Sequence, residues 1–290
     1  MSGGGDSLAL LLLAHRAKLP GLRVATVDHR LRSGAAGEAA SVAARCAELG
    51  VPHDLLAVEW DTPPTANIQA RARDARYDLL GRWATSRTLG AVLTAHHADD
   101  QAETLVMRLA RGSGVAGLAG ARSRSVLTGD VVRLRPLLGW RRSELAALVT
   151  EAGWTAAADP TNDDPRFDRT RARRWLASAG DWPDPVAVAA SAAHLAEAEA
   201  ALAFVADALV AERVARDGDM LTLDPAGLPR ELARRLLEGA LALAEETGHR
   251  RGDLDRLLTR LLAGETATIG RIRLVGGARW RLDWPRPHRR

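Results

Sequence analysis

An α/β fold is predicted for this chain of 290 residues: a parallel sheet with helices on both faces, then a smaller, mainly helical domain ending in a short β segment. Three features carry that expectation. From residue 6 to about 111, helical and apolar β-type segments alternate, the pattern of a parallel sheet buried on both faces. Three of the sharpest polar motifs fall at the carboxyl ends of those strands, where open sheets of this kind bind ligands. Between about Ala156 and Pro185 the sequence turns polar and irregular, with Asp159-Pro160-Thr161-Asn162-Asp163-Asp164-Pro165 and Asp181-Trp182-Pro183-Asp184-Pro185 as breakers, so domains are placed at 1–180 and 181–290.

The elements follow in order. Leu8 to Ala14 reads as a helix, and Leu22 to Asp28 as a strand. Glu38 to Leu49 reads as a helix whose Ala39, Val42, Ala43, Cys46 and Leu49 share one face, making Cys46 a packed core thiol. His53 to Trp60 is a strand, about Asn67 to Arg87 a helix, Ala91 to Ala95 a strand, and about Asp99 to Arg111 a helix. Residues 186 to about 216 form one long Ala-rich helix, with Leu195, Leu202, Val205 and Leu209 on or near one face. Helices follow over Leu232 to Glu246 and Asp253 to Leu262. A hairpin closes the chain, turning at Gly276-Gly277 between Ile272–Val275 and Trp280–Trp284.

At 47% hydrophobic the chain can bury two cores. No uninterrupted apolar run reaches the roughly 18 residues that cross a bilayer, and no cationic leader precedes Leu8. A cytoplasmic protein with no membrane partner is therefore expected. The single Cys46 excludes an internal disulfide framework and any C-x-x-C metal or iron–sulfur motif. The formal charge of +4 is modest, yet its cations are almost all arginine, with Lys18 the only lysine. Guanidinium forks suit phosphate backbones, although an Ala-, Arg- and Gly-rich composition also follows from a G+C-rich genome.

Ser2-Gly3-Gly4-Gly5-Asp6-Ser7 is the most informative motif. Glycines admit φ > 0 and let backbone N–H groups approach phosphate oxygens, while the helix that follows turns its positive end to the same anion. A Walker A loop is excluded, because GxxxxGK[ST] ends on a lysine. In the second motif, His96-His97-Ala98-Asp99-Asp100-Gln101-Ala102-Glu103-Thr104, His96, Asp100 and Glu103 share one helix face. Helix-dipole capping by the acids is the bland alternative; zinc is a weaker rival, since HExxH spacing is absent. Gln69 to Tyr77 and Arg108 to Leu118 add arginines at helical spacing and a Gly112-Ser113-Gly114 turn suited to a phosphate.

The hexapeptide resembles the phosphate loop of the ATP pyrophosphatase superfamily, SGGxDS. The longer series SGGGDS, VDHRLR, ARARDARY, AHHADDQAET, RLARGSGVAGL, RPLL and DPTNDDPRFDRTRAR resembles the bacterial tRNA(Ile)-lysidine synthetase family over residues 2 to about 176. The last hundred residues are similar in outline only, to a small helical substrate- and tRNA-binding domain. GMP, NAD and argininosuccinate synthetases share the first motif without the series, and the tRNA 2-thiolating branch uses paired cysteines.

The resemblance implies an ATP pyrophosphatase-type sheet, ATP and Mg2+, free L-lysine, and tRNA(Ile) with a CAU anticodon. In that family ATP adenylates O2 of the wobble cytidine, and lysine displaces AMP to form lysidine. Carried over by motif, Ser2, Gly3, Gly4, Gly5, Asp6 and Ser7 hold the ATP phosphates, with Asp6 near the magnesium, and His96 reaches the ATP site. Asp100 or Glu103 pairs with the lysine amine and accepts its proton. Arg76 and Arg111 stabilise phosphate charge as pyrophosphate leaves. Arg169, Arg171 and Arg173 lie near the tRNA path, although Thr170 stands where many members carry Asn. A catalytically silent tRNA-binding protein and another adenylating ligase of the superfamily are the rivals.

In this architecture a strand should feed directly into the phosphate loop, yet Met1 stands where its last residue belongs. A GTG valine codon read as a start would produce this. The natural protein is therefore expected to be longer by about one strand and a short helix, and the 290-residue form to be unstable or inactive.

Overall fold

The computed structural model describes residues 1–31, 35–62, 64–157, 168–180 and 182–283. The breakers at 159–165 and at Asp181, and Arg32 of the VDHRLR motif, lie outside them. The chain forms two compact units, Met1–Ala196 and Glu197–Arg290.

The first unit runs α1 (Gly5–Arg16), β1 (Val24–Asp28), α2 (Ala35–Glu48), β2 (His53–Ala57), α3 (Ile68–Ser86), β3 (Ala91–Leu93), α4 (Ala98–Leu109), α5 (Val115–Leu118), β4 (Arg124–Thr128), β5 (Val131–Leu134), α6 (Arg142–Glu151), α7 (Asp168–Ser178) and the start of α8 (Pro185–Arg213). Its strands make two ladders. β1 pairs in parallel with β2, Val24 opposite His53. β3 pairs in parallel with β5, Ala91 opposite Val132, and β4 lies antiparallel to β5. Among the described residues no strand precedes Ser2; the amine of Met1 donates to the Ala25 carbonyl on β1. Sequence patterning missed the β4–β5 hairpin, because β4 holds only Val126 and Leu127 as apolar residues and Arg133 interrupts the apolar run of β5.

α1 is apolar nearly all round, and packing explains why. Leu8, Ala9 and Leu12 meet Leu137, Leu145 and Val149, while Leu11 meets Val24, Val42, Cys46 and Val51 on another side. A helix with buried residues on both faces is held in place, and so is the turn that precedes it. Cys46 is fully buried, as its helical face predicts. On the other side Leu80 and Ala84 of α3 close over Ala25, Val92 and Val131. A Cβ on Gly81 would come 2.7 Å from Thr128 Cγ2, so only glycine lets α3 approach β4 this closely.

The second unit continues from α8 through β6 (Val214–Asp217), β7 (Met220–Leu223), α9 (Arg230–Leu243), α10 (Arg251–Leu262), β8 (Thr266–Ile269), β9 (Ile272–Val275) and β10 (Trp280–Asp283). All strand pairs are antiparallel, in the order β6-β7-β10-β9-β8. The expected β9–β10 hairpin forms, with Leu282 opposite Leu274. The long Ala-rich helix is α8, whose 29 residues and mean hydropathy of 1.3 over one window meet the length and composition of a bilayer span. Alanine explains the difference from expectation: it counts as apolar on that scale while Glu197 and Glu199 interrupt any unbroken run. Glu199 is buried and accepts two bonds from Arg235, at 3.0 and 2.6 Å.

Candidate active site

The glycine turn leads straight into α1. Gly3 takes φ +75°, a left-handed conformation that costs a side-chain-bearing residue strain. Gly4 is the N-cap, extended at φ −68° and ψ 157°, and no side chain caps the helix. Ser7 Oγ instead donates back to the Gly4 carbonyl at 2.8 Å. The first-turn amides of α1 are thus left without a capping side chain, next to a cavity of about 490 Å³. Such amides suit an anion.

β3 delivers the second motif to the same cavity. At its carboxyl end Thr94, Ala95 and His96 line the wall, and His97 caps α4 with its backbone N–H donating to Asp100 Oδ2 at 3.2 Å. The fully buried His97 ring is ringed by Asp6, Asp99 and Asp100 at 3.5, 3.5 and 3.6 Å. Burial opposes a charge there, but the three carboxylates outweigh it and lift the imidazole to about 9. Asp100 N lies 3.4 Å from Nδ1, a contact only the neutral ring would accept; that single long contact loses to three anions. A cationic His97 therefore ties Asp6 of the phosphate turn to the acids of α4. Capping and a functional role are not alternatives here, since Asp100 caps α4 and also lines the cavity.

α7 closes the arrangement through its arginines. Arg169 donates from Nε to Glu103 Oε2 at 2.7 Å and from its terminal nitrogen to Asp100 Oδ1 at 2.9 Å. Arg173 Nε reaches Glu103 Oε1 at 2.8 Å, and Arg142 approaches the same oxygen at 3.4 Å. Glu103 is 1% exposed. Burial alone would raise its pKa, yet Arg173 and Arg169 hold it below the ordinary carboxylate range. The Asp6 carboxyl is likewise lowered against its own burial by His97, Arg142 and Arg173.

The cavity brings together Ser2, Gly4, Asp6, Ser7, Arg76, His96, Asp100 and Arg169 of the residues selected from the sequence. Gly3, Gly5, Glu103 and Arg173 stand outside its wall but adjoin residues that form it. Arg111 and Arg171 do not join them: both are exposed and pair with Asp168 at the start of α7. His96 is held neutral, its pKa pushed down to about 3 by burial and then by Arg135, Arg73, Arg169 and Arg76. His97, Arg142 and Arg135 were not selected from the sequence. The adjacent His96-His97 pair was the available signal, but period 3.6 favours only one of two neighbours. Among the described residues no group of three or more His, Cys, Asp or Glu could hold a metal ion by itself.

Residues 1–179 match a family model described as a PP-loop domain. Fold and cavity thus define a PP-loop protein. The tRNA(Ile)-lysidine synthase of Zymomonas mobilis is 42% identical over 286 residues, spanning 97% of this chain and 86% of the relative. That of Novosphingobium aromaticivorans is 46% identical over 295 residues, spanning 100% and 89%. The chain belongs to the tRNA(Ile)-lysidine synthase family. A solved structure, the U34-tRNA thiolase NcsA from Methanococcus maripaludis with its 4Fe-4S cluster, superposes with a TM-score of 0.56 over 68% of this chain and 71% of that one, at 19% identity. That likeness concerns the fold alone.

Proposed function

We propose that this chain is a carbon–nitrogen ligase that makes lysidine in tRNA(Ile), using ATP to activate the wobble cytidine and free lysine as the nucleophile. One observation carries the assignment: the uncapped glycine turn and Asp100 of α4 open onto a single cavity, and the cationic His97 bridges Asp6 to Asp100. Activation needs an anion cradle for the triphosphate, and substitution needs a carboxylate for an ammonium; the cavity presents both.

In the first step cytidine O2 attacks the α-phosphorus and pyrophosphate leaves. The N-terminal amides of α1, with Ser2 and Ser7, hold the phosphates, and Arg76 faces the charge that develops on the leaving group. Mg2+ accompanying the nucleotide suits this site: it is usually bound through one or two carboxylates plus substrate phosphates, and Asp6 is an ionised, half-exposed carboxylate on the cavity wall. In the second step the lysine Nε attacks C2, the C2–O bond breaks, AMP leaves, and a proton passes to a base. Asp100, which faces the cavity, is the base and the partner of the ammonium. Glu103 positions Arg169 and Arg173 instead, because it is buried behind the cavity wall and accepts three guanidinium contacts there. Neutral His96 binds nucleotide as a hydrogen-bonding group without adding charge.

The test follows ATP with α- and γ-labels, in the presence of lysine and a tRNA(Ile) transcript. AMP is expected only with both co-substrates; without lysine, pyrophosphate release should need tRNA and stop after about one equivalent per enzyme. Release of ADP and phosphate, or turnover without tRNA, would overturn the assignment.

A further inference from the structure

Two groups of arginines stand on the first unit, and they differ in what neutralises them. Arg169 and Arg173 are committed to Glu103 and Asp100. The second group surrounds Tyr77 of α3: Arg133 lies 4.6 Å from the ring centroid, Arg73 5.3 Å and Arg76 5.9 Å. Arg135, 5% exposed, stands beside them, bonded through one terminal nitrogen to the Arg122 carbonyl while its Nε has no partner. Among the described residues none of these four arginines has a carboxylate within ion-pair distance. The acids nearest in sequence do not help: Asp78 is paired with Arg82 at 2.9 Å, and Asp74 adjoins Arg73 without an ion pair.

Gathering four like charges without a counter-ion costs Coulomb energy, which a bound anion would recover. Tyr77 holds the guanidinium planes by cation–π contact, fixing them without neutralising them, so their N–H donors stay available. Arg133 spends only Nε, on Ser125 Oγ at 3.2 Å. Arg76 lines the cavity; Arg73 and Arg133 do not, and Arg73 is exposed. Of the three on the Tyr77 ring, Arg76 alone is on the wall a nucleotide would meet. An anion that meets Arg73 and Arg133 lies outside, and a chain of phosphates meets both.

Resting on the tRNA reading above, we infer that Arg73 and Arg133, clamped on Tyr77, form a contact site for the phosphodiester backbone of the RNA substrate. This puts a tRNA-binding face on α3 and β5, apart from the α7 arginines that bind carboxylates within the protein. Each neutralised phosphate releases counterions, so the site is visible in salt dependence.

The experiment measures binding of a tRNA(Ile) transcript by fluorescence anisotropy across about 50–300 mM KCl, for the wild-type chain, Arg73→Gln/Arg133→Gln and Arg73→Lys/Arg133→Lys. The glutamine pair should lower the slope of log K against log salt by about one to two and weaken binding at 100 mM salt about tenfold or more. The lysine pair should keep most of the slope. Nucleotide affinity, measured without RNA, should stay within about twofold in all three, and melting curves check that the variants fold. An unchanged slope in a folded glutamine pair overturns the site. Loss of nucleotide affinity with an unchanged slope reassigns the anion to ATP and also overturns it. Wild-type protein that fails to bind tRNA would instead defeat the functional assignment on which the site rests.

Discussion

The two units handle buried polarity in opposite ways. In the second, one leucine-rich core runs through Leu236, Leu237, Leu241, Leu254, Leu258, Leu261, Leu274 and Leu282 to the fully buried Trp280. Its buried charge is paired within the unit: Arg235 with Glu231 on α9 and with Glu199 on α8, and Arg234 with Glu231 and Glu238. In the first, the apolar core is divided into three clusters, while Thr94, His97, Gln101, Glu103 and Arg135 are buried on or near the two motifs. Buried polar groups are costly unless satisfied or used. Where they are matched pairs within and between helices they report a scaffold; where they converge on an open cavity they report chemistry.

Substitutions should therefore separate cleanly. The largest effect is expected for Asp100→Asn, which should lower single-turnover rate by about two to four decades and, because the carboxylate also caps α4 and pairs with Arg169, cost about 1 kcal/mol or more of stability. A capping role alone would give that loss of stability with a near-normal rate. Glu103→Gln should lose both, with roughly 3–5 kcal/mol of stability, because three guanidiniums lose a buried anion. Leu258→Ala in the second unit should cost about 2–5 kcal/mol, and protein that remains folded should keep its rate; a rate loss at full folding would place chemistry in that unit.

A smaller effect should appear with pH. His97 is raised to about 9, so its contribution is fully present below its ordinary 6.5 and is lost as pH climbs through 9. His96 is lowered to about 3, so its contribution is present above 6.5 and is lost as pH falls toward 3. Urea melts should show a stability maximum near neutral pH, with limbs on the order of 1–3 kcal/mol. His97→Gln should remove the alkaline limb alone. The smallest effect is expected for Arg82→Gln, whose exposed pair with Asp78 is worth about 0.5 kcal/mol or less.

Much of this was legible in the sequence, for physical reasons. Glycine spacing and a following apolar run specify an anion turn locally, and helical period places Asp100 and Glu103 on one face of α4. What was not legible depends on distant pairing. The motif that places Arg169 and Arg173 near the tRNA path does not show that they also meet Glu103, 66 and 70 positions away. Nor does the motif that assigns Arg111 to phosphate charge show that its exposed guanidinium pairs with Asp168. His97 is important through three acids, and only one of those contacts, to Asp6, spans elements far apart in sequence. Local chemistry can be read from a motif; the neutralising partner cannot.

The most direct measurement is pyrophosphate release by the wild-type chain and by Asp100→Asn, with ATP, lysine and tRNA(Ile) supplied together and each omitted in turn. AMP and pyrophosphate in equal amounts with lysidine are expected in the wild type, no AMP when any substrate is missing, no sustained pyrophosphate release without lysine or tRNA, and a rate lowered at least a hundredfold in the folded variant. Full activity in Asp100→Asn, or pyrophosphate release that ignores lysine and tRNA, would contradict this expectation.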